Sequence, residues 1–187
     1  SPASPADVIT EICLSLAPLA AAKDIQFSYV GSESPASGAT LHKIVDVMDN
    51  LAQVDLLVDS SLPSWYLVVT AALDDVGTGI VDGLKARVPM LTTAQLQEQA
   101  AAGGRTPGAL IALGMGLNGT TSPEAEQLLR DGLTSPDMDT RYAAAVGASF
   151  LRSQELANAL DRAAKAEPDE DITRVMIAAR EICSRVG

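Results

Sequence analysis

Histidine, cysteine and aromatic residues are scarce in this chain. Phe, Trp and Tyr make up 3% of its 187 residues, and His42 is its only histidine. The two cysteines, Cys13 and Cys183, stand near opposite ends of the chain. A structural or catalytic zinc site needs several Cys, His or acidic ligands close together, and His42 has no cysteine or serine at a spacing that predicts a nucleophile. We therefore predict no metal, no cofactor and no enzymatic activity. We expect both thiols to be buried, and the sequence does not decide whether they form a disulfide.

Positive charge is also scarce. The chain has 13 basic and 24 acidic side chains, a net charge of −11, and its first 100 residues carry 4 basic and 12 acidic ones. Such a surface repels phosphate backbones, and no basic stripe interrupts it, which argues against nucleic-acid binding. The apolar share of 47% is ample for a core, and it consists mainly of alanine, leucine and valine, which favours packed helices.

The chain also lacks long apolar runs and targeting segments. No run reaches the length of a membrane span, and the sequence contains no recognisable signal peptide. We therefore expect a cytoplasmic protein without direct membrane insertion. The first residue is Ser1, not Met, which leaves open a mature form from which a leader has been removed.

The first half reads mainly as helices. Apolar residues recur at helical spacing from Val8 to Ala20, with a kink or end expected at Pro18. The alternation in Ile25–Val30 predicts one short strand, packed on helices, and a flexible loop follows at Gly31–Ala39. Three further helices are predicted, over Leu41–Val58, Ser64–Val76 and Gly79–Arg87.

One face of the predicted helix Leu41–Val58 and the residues after it form a candidate partner surface. The helix face is acidic, and two aromatic residues follow Pro63; the candidate residues are Asp46, Asp49, Asp55, Asp59, Trp65 and Tyr66. Each feature has a structural alternative. A run of charges is commonly a solvated helix face, and tryptophan is commonly a core anchor.

The second half predicts short helices separated by turn-forming residues. Thr92 or Thr93 caps the first of them, and Gly103-Gly104 ends it. Five more follow, and three of these start with an arginine before a small-residue apolar run, at Arg105, Arg141 and Arg174. Pro136, Asp137 and Asp139 precede the second arginine as Pro168, Asp169 and Asp171 precede the third. A period of 33 to 36 residues with two helices in each period is typical of helical repeat proteins.

These motifs resemble the HEAT-like helical repeats, particularly the short form in phycobilisome-lyase-like bacterial proteins. The resemblance covers Arg105–Gly187 well and the first hundred residues poorly. It implies an all-α stack of antiparallel helix pairs. It also implies a ladder of Asp–Arg pairs between neighbouring units, formed by Arg105, Asp139, Arg141, Asp171 and Arg174.

Together these observations predict an all-α, HEAT-like α-solenoid with at most one short strand near the N-terminus. We expect residues 1–38 to form a helix, an extended segment and a loop, and residues 39–187 to form the repeat domain. The predicted function is non-catalytic protein–protein interaction or scaffolding, with a basic surface favoured on the partner and the oligomeric state open. The alternatives are an accessory subunit bound permanently in an assembly, favoured if apolar residues are exposed, and an enzyme using a carboxylate pair at Asp74-Asp75 or Asp169–Asp171.

Overall fold

In this computed structural model, the described residues are 4–23, 26–34, 39–46, 51–59, 65–102, 107–117, 119–120 and 122–184. Within these ranges the chain forms eight helices and four strands. In chain order they are α1 (Pro5–Lys23), β1 (Phe27–Glu33), β2 (Ala39–Asp46), β3 (Ala52–Asp59), β4 (Tyr66–Ala71), α2 (Asp74–Arg87), α3 (Thr93–Ala101), α4 (Pro107–Leu117), α5 (Pro123–Leu133), α6 (Met138–Ser149), α7 (Gln154–Ala166) and α8 (Glu170–Cys183).

The all-α prediction is wrong. The four strands form one antiparallel sheet in the order β1-β2-β3-β4. Strands β2 and β3 occupy most of the stretch predicted as a helix over residues 41–58, and β4 lies within the helix predicted over residues 64–76. The strand predicted at residues 25–30 is present as part of β1, but it is the edge of a real sheet rather than a lone extended segment.

The sequence of β3 shows why the helix prediction failed. Ala52, Val54 and Leu56 alternate with polar residues and are buried, which is the pattern of a strand with one face in the core. The same stretch also offers apolar residues at helical spacing, so periodicity alone does not decide between the two structures. The branched and aromatic side chains of β2 and β4 favour strands.

The chain divides into two compact units, with the elements from α1 to α2 in the first and those from α3 to α8 in the second. In the first unit, α1 and α2 pack together, and one face of the sheet closes the core against them. Its buried core residues are Val8, Ile12 and Leu16 from α1; Ile44, Ala52, Val54 and Leu56 from the sheet; and Val76, Ile80 and Leu84 from α2. Burial of one such large side chain stabilises the fold by roughly 1.5 to 3 kcal/mol.

Helix α1 confirms the first helix prediction, and of the two outcomes expected at Pro18, a kink or an end, the end is wrong because the helix continues to Lys23. By length and mean hydropathy, 1.4 over Pro5–Ala22, it also matches a membrane-spanning helix, contrary to the sequence expectation. Core helices and signal sequences meet the same two criteria. In this fold its residues Val8, Ile12 and Leu16 are buried in the core of the first unit.

The second unit is a two-layer arrangement of six helices. Helices α4, α6 and α8 pack side by side in one layer, α3, α5 and α7 neighbour one another in the other, and consecutive helices pair across the layers. The helices predicted here from the sequence are confirmed. Thr92 caps α3 through a reciprocal pair of hydrogen bonds with Gln95, as expected from the sequence.

Two glycines let α4 and α6 approach within backbone contact. A Cβ on Gly114 of α4 would collide with the carbonyl oxygen of Gly147 on α6, and a Cβ on Gly147 would collide with the carbonyl oxygen of Leu110. Neither position therefore accepts a larger residue without separating the helices.

The two units meet in sequence after Met90. The boundary predicted between residues 38 and 39 lies just before β2, within the range of the first unit. The predicted helix end at Gly103-Gly104 lies outside the described residues.

Candidate functional site

The predicted acidic helix face does not exist as a helix face, because those of its residues that the structure describes belong to strands. Asp46 and Asp59 are the last residues of β2 and β3, and Asp55 lies in the middle of β3. Asp49 lies outside the described residues. The Asp55 carboxylate accepts hydrogen bonds of 2.7 Å from Nε2 of Gln53, the next residue on the same side of that strand.

The two aromatic candidates have different environments. Trp65 precedes β4 and is partly buried against the core of the first unit, which agrees with the alternative that it is a core anchor. Tyr66, the first residue of β4, is half-buried opposite Leu57 of β3. The sequence analysis placed these two neighbouring residues on one surface. In the extended chain their side chains instead point to opposite faces of the sheet.

The predicted ladder residues make pairs other than those the resemblance implies. Arg141 of α6 binds Glu167, between α7 and α8, with Nε–Oε2 and Nη2–Oε1 distances of 2.7 and 2.9 Å. Arg174 instead binds Asp171 within its own helix, and both side chains are mostly exposed. Asp139 is exposed in the first turn of α6, and Arg105 lies outside the described residues.

The Arg141–Glu167 pair is the most buried ion pair among the described residues. The side chain of Arg141 is 15% exposed and that of Glu167 only 1%. Nη1 of Arg141 also donates to the carbonyl oxygens of Ser135 and Pro136, at 3.0 Å each, so one guanidinium joins the α5–α6 and α7–α8 connections. The hydrogen bonds from Arg141 lower the pKa of Glu167 below its usual 4.5, although burial opposes that shift. The sequence analysis missed Glu167, although an acidic residue stands directly before Pro168 in the second Pro-Asp motif.

The aspartates of the two Pro-Asp motifs cap helices. Asp137 accepts a hydrogen bond from the Thr140 N–H at the start of α6, and Asp169 accepts from the N–H groups of Asp171 and Ile172 at the start of α8. The bonds from the side chain and backbone of Thr140 lower the pKa of Asp137. Both carboxylates therefore act as ordinary helix N-caps, which accept hydrogen bonds from the free N–H groups of the first turn.

Asp75 and His42, titratable residues of the first unit, each make a contact close by. The Asp75 carboxylate accepts from the N–H of Val76, the residue next to it. His42 Nδ1 lies 3.1 Å from the hydroxyl of Tyr29 on the neighbouring strand. In the parts of the chain that the structure covers, no three His, Cys, Asp or Glu side chains are placed to hold a metal ion.

The two cysteines are free thiols in different surroundings. Cys183 is buried, as predicted, and its Sγ donates to the carbonyl oxygen of Ala148 at 3.1 Å. Burial raises its pKa to about 11, which makes it an inert thiol at neutral pH. Cys13 is exposed on α1, so the prediction that both thiols are buried is wrong for this residue.

Apolar exposure in the helical unit is concentrated on two neighbouring helices. We define the α6–α8 apolar set as Met138 and Tyr142 on α6 and Ile177 and Ile182 on α8, which are between 38% and 50% exposed. Met138 and Tyr142 are one turn apart and therefore share a side of α6. In the described residues, α5 and α7 expose no large apolar side chain. The sequence analysis missed this set. It could have been found as apolar residues that lie outside the buried apolar stripe of each helix.

The chain was compared with models of known protein families, with curated proteins and with solved structures, and none of the three comparisons found a match.

Proposed function

We propose that this chain is a non-catalytic protein-binding protein whose helical unit, α3 to α8, docks a partner through the α6–α8 apolar set. The observation that carries the proposal is the unequal distribution of exposed apolar residues between the two helix layers. Met138 and Tyr142, one turn apart on α6, are the centre of the proposed site, since clustered apolar side chains are typical of interaction sites whereas single exposed ones are ordinary.

The contrast with α7 supports this assignment. Residues on the outer side of α7 are polar or charged, and Asp161 there binds both Lys165 and Arg180. Tyr142, by comparison, is 45% exposed on α6. Tyrosine is among the residues enriched at the energetic centres of interfaces, because it offers a large rigid surface with a polar tip.

The charges beside the apolar set indicate the chemistry of the partner. Asp139 at the start of α6 and Glu170 at the start of α8 are exposed. The two nearby arginines are paired with acidic residues, Arg141 with Glu167 and the exposed Arg174 with Asp171. We therefore propose a partner protein that presents an apolar side chain flanked by lysine or arginine. Charge complementarity of this kind selects the partner and accelerates association.

The resemblance of residues 105–187 to HEAT-like repeats stays a prediction. It supports the proposal because stacked helix pairs commonly serve as binding surfaces. A cytoplasmic location also stays a prediction.

The test compares three forms of the full chain as baits in lysate from the cells that make it: wild type, Tyr142→Lys and Asn158→Lys. Asn158 is exposed on α7, so its substitution adds the same charge in the opposite layer. A partner retained by wild type and by Asn158→Lys, and lost with Tyr142→Lys, is then identified by mass spectrometry and purified. Titration calorimetry with the purified partner is expected to show at least tenfold weaker binding to Tyr142→Lys, about 1.4 kcal/mol or more.

Two results would contradict the proposal. One is equal loss of the partner with both lysine variants. The other is a concentration-dependent dimer in sedimentation that Tyr142→Lys dissociates, because a second copy of the chain would then occupy the surface.

A further inference from the structure

The two edges of the sheet in the first unit differ in a way that indicates a second binding site. Edge strand β1 is irregular: its pairing with β2 shifts register between Tyr29 and Gly31, and Gly31 has a φ of 133°. It also ends in the charged residue Glu33. Bulges, glycine and charge are the features by which natural sheets prevent an edge from pairing with another strand.

Edge strand β4 has none of these protections. Its sequence, YLVVTA, contains no charge, no glycine and no proline, and its register against β3 is regular over all six residues. Val68 in its middle is 44% exposed. A regular, uncharged edge strand rich in branched side chains readily accepts another strand.

The hydrogen-bond pattern shows which backbone groups of β4 are available. The Ala72 N–H donates to the Leu51 carbonyl at 2.8 Å, so pairing alternates from that point along the antiparallel ladder. The N–H and C=O groups of Leu67, Val69 and Ala71 therefore point away from β3. Within the described part of the chain, no backbone partner pairs with this side of β4.

A groove runs beside this edge, between β4 and α2. Its volume is about 530 Å³, and Val69, Ala71 and Val81 form apolar parts of its wall. The side chains of an added strand that face the helices would enter this groove. Strand addition with side chains seated in adjacent pockets is an established mode of peptide recognition.

The charged groups of the groove indicate what the added strand carries. Asp74 and Asp82 line it together with a single lysine, Lys85, and the chain as a whole has a net charge of −11. We propose that the β4 edge binds an extended, basic segment of another protein, with alternating apolar and lysine or arginine side chains. This site lies in the first unit, and the proposal does not depend on the α6–α8 apolar set.

The probe is a fluorescein-labelled pool of acetylated octapeptides with valine or threonine at alternate positions and lysine at the others. Matched pools carry glutamine or glutamate in place of lysine. Fluorescence anisotropy with the full chain is expected to show saturable binding of the lysine pool, at least tenfold tighter than the glutamine pool, and no binding of the glutamate pool. Methylation of alternate backbone nitrogens in the lysine pool should abolish binding, because strand addition needs those donors.

Val68→Lys on β4 and Val30→Lys on β1 are a matched pair of variants, since both valines are exposed on edge strands and both changes add one positive charge. Val68→Lys is expected to weaken binding of the lysine pool at least fivefold, and Val30→Lys less than twofold. Asp82→Asn should weaken the lysine pool but not the glutamine pool. Tyr142→Lys should leave peptide binding unchanged, because Tyr142 lies in the second unit. A negative result for the β4 edge is therefore separate from a negative result for the α6–α8 apolar set.

Circular dichroism melting of each variant checks that it is folded before binding is measured. Three results would overturn the proposal: equal weakening by Val30→Lys and Val68→Lys, undiminished binding of the N-methylated pool, or a wild-type dimer in sedimentation that Val68→Lys dissociates. The last would show that a second copy of the chain occupies the edge.

Discussion

At the scale of single residues, the two arginines of the repeated motif have very different surroundings. Arg141 is held by the buried carboxylate of Glu167 and by two carbonyl oxygens, whereas Arg174 makes one exposed contact with Asp171, three residues before it. The two arginines occupy equivalent positions in the sequence motif. They differ in how many partners they bind and in how deeply those partners are buried.

We predict that Arg141→Ala lowers the free energy of unfolding by about 3 kcal/mol, since it leaves the Glu167 carboxylate buried without its partner. Arg174→Ala is the control and should change it by less than about 0.5 kcal/mol, because exposed pairs contribute little. Urea unfolding followed by circular dichroism measures both. Similar values for the two variants would show that the burial of the Arg141 pair has no energetic weight.

The lowered pKa of Glu167 has a consequence for stability against acid. A carboxyl whose folded-state pKa lies below its usual 4.5 adds stability above that pH, and this stability is lost as the pH falls through the folded-state value. We predict that wild-type stability decreases below about pH 4.5 more steeply than that of Glu167→Gln. Urea unfolding at a series of pH values between 7 and 3 tests this, and parallel curves for the two proteins would contradict it.

At the scale of helices and strands, an element could be predicted from the sequence when residues within that element determine its structure. Helices α3 and α5 to α8 were predictable because their starts carry side chains that bind the first free N–H groups, such as Thr92, Ser122 and Ser153. Strands β2 to β4 were not, because a strand is stabilised by hydrogen bonds to a neighbouring strand rather than within its own segment, and residues 41–58 fit both periodicities. The α6–α8 apolar set was missed for a related reason, since exposure is decided by which helices pack together.

The α4–α6 contact supports a prediction at this scale. Gly114→Ala should destabilise the chain by about 1 to 3 kcal/mol, because its new methyl group meets the backbone of α6, which cannot move aside cheaply. Gly116→Ala, in the same helix, is the control: its methyl group meets only the end of the Leu96 side chain. Alanine favours the helix more than glycine does at both positions, so thermal unfolding of the two variants compares the two contacts. A Gly114→Ala protein as stable as Gly116→Ala would refute the close approach.

At the scale of the whole molecule, the net charge of −11 applies to both proposed sites. Attraction between this surface and a basic partner acts mainly during the encounter, over about 10 Å at 0.1 M salt. We predict that the association rate of the captured partner falls as salt increases from about 0.05 to 0.5 M, with a smaller change in the dissociation rate. Surface plasmon resonance measures both rates, and an association rate independent of salt would rule out a basic partner surface.

The contact between Gly114 and Gly147 also fixes how far along their axes α4 and α6 can slide. A shift of one helical turn would bring Ala143 or Ala144 of α6 to the position of Gly147, and the Cβ of either alanine would strike the backbone of α4. The pair of glycines that permits the close contact therefore also opposes sliding of one helix along the other.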